Sequence, residues 1–262
     1  MNKYLLKVIC HLPLKRFIYD PCQLYTNLFN SENNSDMISN GEFRFLKSNL
    51  PQCNVIFDIG ANVGDWTKLA LSTNSNLKVH CFEPSKKIFS KLESNNFPQN
   101  VTCNNIGLSS NECTKSMYSF KEDSGMSSIY QRKGLAARGL SNPVKTEDVQ
   151  LITLNNYCKK NQISHIDYLK MDIEGHELEA LKGGISLFEE NKVNIVQFEY
   201  GGCNIDSKTF LKDFFELFEK LNYSFYKIYP NHIERIKEYD QRLDNFQYQN
   251  WLIIKNDHKF IP

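Results

Sequence analysis

Val55-Ile56-Phe57-Asp58-Ile59-Gly60-Ala61-Asn62-Val63-Gly64-Asp65 is the stretch on which the fold turns. Its first five residues are apolar except for Asp58, have the length of a strand and stop at a glycine. Such a run reads as a strand buried on both faces of a parallel sheet. Residues 65–72 follow as a helix. Gly60 permits a tight turn and close approach of a ligand to the backbone, and Gly64 lets the next helix pack closely. The two glycines are four apart with none between, so the dinucleotide fingerprint G-x-G-x-x-G fails. Without the central glycine a pyrophosphate is not seated on the helix N-terminus. The acidic Asp58 ahead of the turn suits a ligand that carries an ammonium group and hydroxyls.

Downstream the pattern alternates. Residues 78–82 form a second strand that ends at Glu83-Pro84. Residues 85–95 form a helix with Ser85 as N-cap and Ile88, Phe89 and Leu92 on one face. Residues 101–106 are a third strand. An irregular region follows, in which 115–120 and 127–131 pair as short strands and 133–145 is an exposed loop. Regular alternation resumes with a helix at 154–161, a strand at 166–171, and a helix at 175–182 that stops at Gly183-Gly184. A strand at 193–198 is next, then an amphipathic helix at 209–221 with Phe210, Phe214, Leu217, Phe218 and Leu221 on its core face. Strands at 224–229 and 251–254 close the sheet. Strands alternating with helices over this length predict an α/β, doubly wound, mostly parallel sheet. Ligands then lie beyond the carboxyl ends of the strands, at the topological switch point.

Upstream, residues 1–50 read as a helical N-terminal arm with loops, and 51–262 as the main domain. Ser31-Glu32-Asn33-Asn34-Ser35-Asp36 is a polar loop. Residues 41–50 carry Phe43, Phe45, Leu46 and Leu50 at short-helix spacing. The first ten residues resemble a signal peptide superficially, but Lys7 and His11 break the apolar region and no small-residue cleavage site follows. A short amphipathic helix is expected, packed on the chain's own core or touching a membrane surface or a partner.

Composition narrows the function. The chain has 262 residues, 41% hydrophobic and 13% aromatic, enough for a full core in one domain plus an arm. Lys+Arg is 31 against Asp+Glu 30, a net charge of +1, without the basic excess of a nucleic-acid binder. The 8 cysteines include no CxxC, and several lie in apolar runs; reduced thiols and a cytoplasmic location are expected. No apolar stretch approaches the ~20 residues of a membrane span.

Glu83 ends the second strand, where an acidic residue accepts hydrogen bonds from both hydroxyls of a ribose. Asn105, after the third strand, is placed for the adenine side. A ribose, a cationic amino-acid part and no pyrophosphate together specify S-adenosyl-L-methionine, with Asp58, Gly60, Asn62, Gly64, Glu83 and Asn105 as its expected contacts.

At this point the sequence resembles the FkbM family of S-adenosylmethionine-dependent methyltransferases. The matching segments are Phe57-Asp58-Ile59-Gly60-Ala61-Asn62-Val63-Gly64, His80-Cys81-Phe82-Glu83-Pro84, Asn105-Ile106-Gly107-Leu108-Ser109 and Gly125-Met126-Ser127-Ser128-Ile129. Leu169-Lys170-Met171-Asp172-Ile173-Glu174-Gly175-His176-Glu177, followed by Leu181-Lys182-Gly183-Gly184, makes the resemblance specific. It implies a Rossmann-like sheet of seven strands with the last antiparallel, the class I methyltransferase fold. It also implies O-methylation of hydroxyls, often on sugars or polyketides.

Methyl transfer from a sulfonium is an in-line displacement that needs an aligned acceptor oxygen and a base for its proton. Asp172 at the tip of the fourth strand faces the same crevice as Asp58. Glu174, His176 and Glu199 are the further catalytic candidates. Ser127 and Ser128 are within reach of cofactor or acceptor. The basic residues Arg132, Lys133, Arg138 and Lys145 belong either to a solvated loop or to a lid or grip on an anionic acceptor. Asp172, Glu174 and Glu199 could supply oxygen ligands to Mg²⁺, but no spacing demands a metal. The expected function is O-methylation of a carbohydrate, glycan or similar small hydroxylated metabolite. A nucleic-acid methyltransferase would carry Pro-Pro-aromatic or Pro-Cys where this chain has Asp172-Ile173-Glu174-Gly175. A non-catalytic S-adenosylmethionine-binding partner protein and an NAD oxidoreductase are the remaining alternatives, the last disfavoured by the glycine spacing.

Overall fold

The computed structural model describes residues 15–120, 127–132 and 145–262. The expected amphipathic helix over the first ten residues, Gly125 and Met126, and Lys133 and Arg138 of the basic loop lie outside the described residues.

The decisive stretch is strand β1 (Val55–Ile59), followed by helix α3 (Asp65–Thr73). It is preceded by α1 (Lys15–Asn30) and α2 (Glu42–Asn49). β1 pairs in parallel with β2 (Lys78–Phe82) on one side and with β8 (Ile166–Met171) on the other. The sheet runs outward from β2 to β3 (Val101–Asn104), and from β8 to β9 (Val193–Tyr200). Beyond β9 come the antiparallel β12 (Gln249–Lys255), then β10 (Tyr223–Ile228) and β11 (Ile233–Ile236). The order is therefore β3-β2-β1-β8-β9-β12-β10-β11, doubly wound with its switch point between β1 and β8.

The expected number of strands needs correction. Among the described residues the sheet has eight strands rather than seven, because the chain after β10 returns as β11, antiparallel to it with Ile228 opposite Ile233. A four-residue edge strand reading Ile-Glu-Arg-Ile has too short an alternation to announce itself.

A second sheet, β4-β7-β5-β6, lies in the irregular region: β4 (Gly107–Leu108), β5 (Cys113–Ser119), β6 (Ser127–Ser128) and β7 (Lys145–Ile152). The pairing of residues near 115–120 with those from 127 is present, with Tyr118 opposite Ser128. β7 was not expected. Its first half, Lys-Thr-Glu-Asp, is polar, and only Val149 and Leu151 show the buried face.

Alternation along the strands sends side chains to two cores. Phe57 and Ile59 join one cluster, with Leu178 and Leu181 of α6 (Glu177–Lys182) and Phe214 and Phe218 of α9 (Leu211–Phe218). The rings of Phe198 and Phe214 stack at 4.5 Å. Phe210, expected on this face, precedes the helix and is 48% exposed. Ile56 joins the opposite cluster, where Phe45 and Leu46 of α2, with Leu50, meet Val79, Tyr168 and Leu252. Burying three such side chains fixes α2 on the sheet at roughly 1.5–3 kcal/mol each. α4 (Lys86–Glu93) follows β2, and Ser85 holds the N-cap position as expected. Its hydroxyl, however, donates to Glu147 Oε1 of β7 at 2.5 Å, tying the small sheet to the large one.

Candidate active site

The carboxyl ends of β1 and β8 open into a crevice of about 580 Å³. Gly60 and Ala61 donate their N–H groups to Phe82 O, both at 2.9 Å, and Asp172 N donates to Ile59 O at 3.0 Å, so the three strand ends are stitched together. Gly60 has φ +78°, and a Cβ there would lie 2.0 Å from Asp172 O. Its glycine is thus required by the close passage of the β8 loop, not only by a ligand. Gly64 (φ +89°) is required by helix packing, since a Cβ would meet Phe97 and Leu92. Gly60→Ala is expected to destabilise the fold by more than about 1 kcal/mol, read as a lowered midpoint in urea unfolding; an unchanged midpoint would contradict this packing.

Of the ten residues expected at the site, Gly60, Asn62, Glu83, Asp172, Glu174, His176 and Glu199 line the crevice. Asp58, Gly64 and Asn105 do not. Asn105 Nδ2 instead donates to the carbonyls of Glu83 (2.9 Å) and Pro84 (3.0 Å), fixing the chain that carries Glu83. Glu83 is 8% exposed and accepts from the backbone N–H of Asn62 (3.1 Å) and of Ser85 (2.9 Å), one on each oxygen. Asn62 sits at φ +49°, which turns its N–H to that task. Burial pushes the Glu83 carboxyl up to about 7, the two N–H donors hold it down, and Glu147 and Asp58 add to the rise.

Asp58 is fully buried beneath the crevice. Its Oδ2 accepts from Thr67 Oγ1 at 2.7 Å, and its Oδ1 lies 3.4 Å from Lys170 Nζ. Asp58 is thereby paired with Lys170, which does line the crevice. Lys170 Nζ also lies 3.8 Å from Asp172 Oδ2 and 5.9 Å from the Trp66 ring centre. Burial alone would push Lys170 down, but Asp58, Asp172 and Glu42 outweigh it and hold the ammonium above the usual lysine range. The sequence reading holds Lys170 only within a motif; its signal is a lysine between the apolar Leu169 and Met171 of a buried strand.

The β8 loop is shaped by its own carboxylate. Glu177 Oε1 accepts from the N–H groups of Ile173 (2.9 Å) and Gly175 (3.3 Å). Glu174 and Gly175 both have positive φ, 54° and 98°, and strain at a non-glycine residue clusters at functional loops. Glu174 Oε2 pairs with Arg132 NH1 at 2.5 Å, so of the basic residues after β6 this one is spent on the site's own carboxylate. His176 is 1% exposed, with Nδ1 2.8 Å from the Tyr130 hydroxyl and Nε2 3.0 Å from the Ser109 hydroxyl. Burial holds it down to about 4. With both ring nitrogens engaged, His176 ties the small sheet to the β8 loop. Ser128 Oγ donates to Glu174 O at 2.9 Å.

Beside Asp172, at the end of the neighbouring strand β9, stands Glu199, held well above the usual carboxylate range by burial and then by Asp172, Glu174 and Glu177. Beside it lie Tyr248, Asn250, Trp66 and Glu42. Glu42 accepts from Trp66 Nε1 (3.1 Å) and Asn250 Nδ2 (3.3 Å). Glu42, Trp66, Tyr248 and Asn250 were missed because three separate segments bring them together. Asp172, with 46% of its side chain exposed, is the open carboxylate of the group. The lining carries Glu42, Asp65, Glu83, Asp172, Glu174 and Glu199 against one lysine, Lys170. Such a field attracts a cation. Among the described residues, no three His, Cys, Asp or Glu side chains are grouped to hold a metal ion.

The chain is thus a doubly wound α/β domain with an acidic crevice at its switch point and a carboxylate at the tip of β2. Residues 58–225 match the methyltransferase FkbM domain, and the chain belongs to that family. It is 29% identical over 163 residues to the hexuronic acid methyltransferase AglP of Haloferax volcanii, covering 60% of this chain and 61% of the relative. The chain thus spans about three-fifths of that relative's length. Among solved structures it is similar to the methyltransferase FkbM of Methylobacillus flagellatus, with TM-score 0.48, 16% identity, and coverage of 76% of this chain and 43% of the other. It is also similar to the N-terminal domain of human METTL16 in complex with SAH, with TM-score 0.41, 12% identity, and coverage of 82% and 66%.

Proposed function

We propose that this chain transfers the methyl group of S-adenosyl-L-methionine to a hydroxyl of a carbohydrate. The observation that carries the reading is one crevice with two differently built ends. At one end Glu83 is fixed by two backbone donors with its remaining lone pairs free for a ribose. At the other, Asp172 stands open beside Glu199, Tyr248, Asn250 and Trp66. The residues fit the cofactor: the excess of carboxylates suits a ligand with a sulfonium and an ammonium. When bound, the cofactor supplies a methyl carbon made electrophilic by its positive sulfur.

Glu83 would hold the ribose hydroxyls, and the β1 loop from Gly60 to Asn62 would pass beneath the nucleoside. Asp172 accepts the proton of the acceptor hydroxyl as its oxygen attacks. Glu199, whose protonated form is favoured by burial and then by its carboxylate neighbours, donates a hydrogen bond to the acceptor instead of competing for that proton. Trp66 and Tyr248 offer ring faces to the apolar side of a sugar, and Glu42 and Asn250 offer polar atoms to its hydroxyls. The hexuronic acid substrate named for the relative supports the carbohydrate class.

Calorimetry tests the cofactor. S-adenosylhomocysteine is expected to bind and NADH is not; the reverse would remove the reading. Glu83→Ala loses a charge-assisted pair of hydrogen bonds and is expected to weaken binding by about 2–3 kcal/mol, roughly 30–150-fold. Transfer of labelled methyl to a panel of glycans, lipids and RNA tests the acceptor, with glycans expected.

Binding is also expected to depend on pH through Glu83. The ionised carboxylate accepts from the ribose, and its ordinary value is raised to about 7. Lowering pH through 7 protonates it, so the dissociation constant for S-adenosylhomocysteine should rise towards tenfold per pH unit below that point and stay flat above it. Glu83→Gln should remove the slope. A wild-type slope that survives in Glu83→Gln would assign the titration to another group.

A further inference from the structure

α1 (Lys15–Asn30) presents an apolar face that none of the described residues covers. Phe17, Leu24, Leu28 and Phe29 are 76%, 58%, 70% and 72% exposed, and Ile18 and Tyr25 are exposed beside them. These six fall along one side at helical spacing, with Gln23, Thr26, Asn27 and Asn30 opposite. The ring contact seen for this face is internal, between Tyr25 and Phe29 at 6.1 Å. Isolated exposed apolar residues need no account, but a contiguous stripe of this size on a polar chain marks an interaction surface.

The charge pattern says what meets it. From Met1 to Tyr19 the sequence holds Lys3, Lys7, Lys15 and Arg16 and no acidic residue; the first acid is Asp20. With 31 basic and 30 acidic residues in all, the remainder of the chain carries an acidic excess. A cation-rich segment running into a helix with an unpartnered aromatic and aliphatic face is the pattern of an in-plane amphipathic anchor, which sinks its apolar side into the headgroup boundary. A second copy of the chain would bring two cation-rich segments together, whereas an anionic lipid surface complements them.

We propose that α1 docks on an anionic bilayer surface and holds the crevice mouth against it. The chain geometry supports the second half. Five residues after α1 ends at Asn30, Ser35 lines the crevice, and Met37 follows; five residues span at most ~18 Å. Glu32 between them is 7% exposed and accepts from Asn245 Nδ2 (2.8 Å) and Gln249 Nε2 (3.0 Å), so the root of the arm is fixed to the domain beside β12. The placement is independent of the methyl-transfer reading.

The test is flotation of the full chain with vesicles of phosphatidylcholine alone and of phosphatidylcholine with about one-third phosphatidylglycerol. The chain is expected to float with the anionic vesicles, to stay behind with the neutral ones, and to be released by high salt. Phe17→Ser, Leu24→Ser, Leu28→Ser and Phe29→Ser together should lower the bound fraction at least tenfold. An unchanged thermal midpoint would show that the substitutions, all on exposed positions, leave the fold intact. Failure of the wild type to float, or equal flotation of the fourfold variant, would overturn the proposal. So would a dimer, in sedimentation without lipid, that the same substitutions dissociate.

Discussion

Asp172→Asn is expected to lower the rate constant for methyl transfer by about 10²–10⁴-fold, the range for loss of a positioned general base. Asp172 stands where β8 ends, with nearly half its side chain open to the crevice and its backbone N–H tied to Ile59. Of the other candidates, Glu174 is committed to Arg132 and His176 to two hydroxyls, while Glu199 is pushed up by burial and by its carboxylate neighbours. Single-turnover transfer measures the step directly. The affinity for S-adenosylhomocysteine should move by less than about threefold if the proton is the role of Asp172. A rate left intact with affinity lost would instead place this carboxylate on the cofactor's ammonium.

The second large effect concerns stability. Lys170→Met is expected to cost about 3–5 kcal/mol, because it leaves Asp58 buried with only the Thr67 hydroxyl as a partner. Denaturant unfolding reads the loss. Adding Asp58→Asn removes the stranded charge, and the double variant should recover most of it. A single variant as stable as wild type would mean that Asp58 is not held as a buried ion pair.

Much of the fold was legible because its signals are local. The apolar run 55–59 stops at a glycine, Glu83-Pro84 ends the next run, and Gly183-Gly184 stops a helix. Each marks a boundary by its own backbone chemistry. What escaped is non-local or faint. β7 hides its buried face in two residues, and β11 is four residues at a sheet edge. The crevice loops lie after β1, β2 and β8, where a switch-point site is expected. The roles within them were less readable. Gly60 is dictated by a carbonyl from a strand over a hundred residues away. Asp58 turns inward because Lys170 lies beside it across the β1–β8 register. The crevice wall of Glu42, Trp66, Tyr248 and Asn250 joins α2, α3 and β12 with the residue before it, and no spacing announces such a meeting.

The most direct measurement is a crystal structure of the chain with S-adenosylhomocysteine. The account predicts the nucleoside over the Gly60–Asn62 turn, with both ribose hydroxyls on the Glu83 carboxylate and the sulfur directed towards Asp172. A ribose bound away from Glu83, or a diphosphate coenzyme occupying the same crevice, would contradict it.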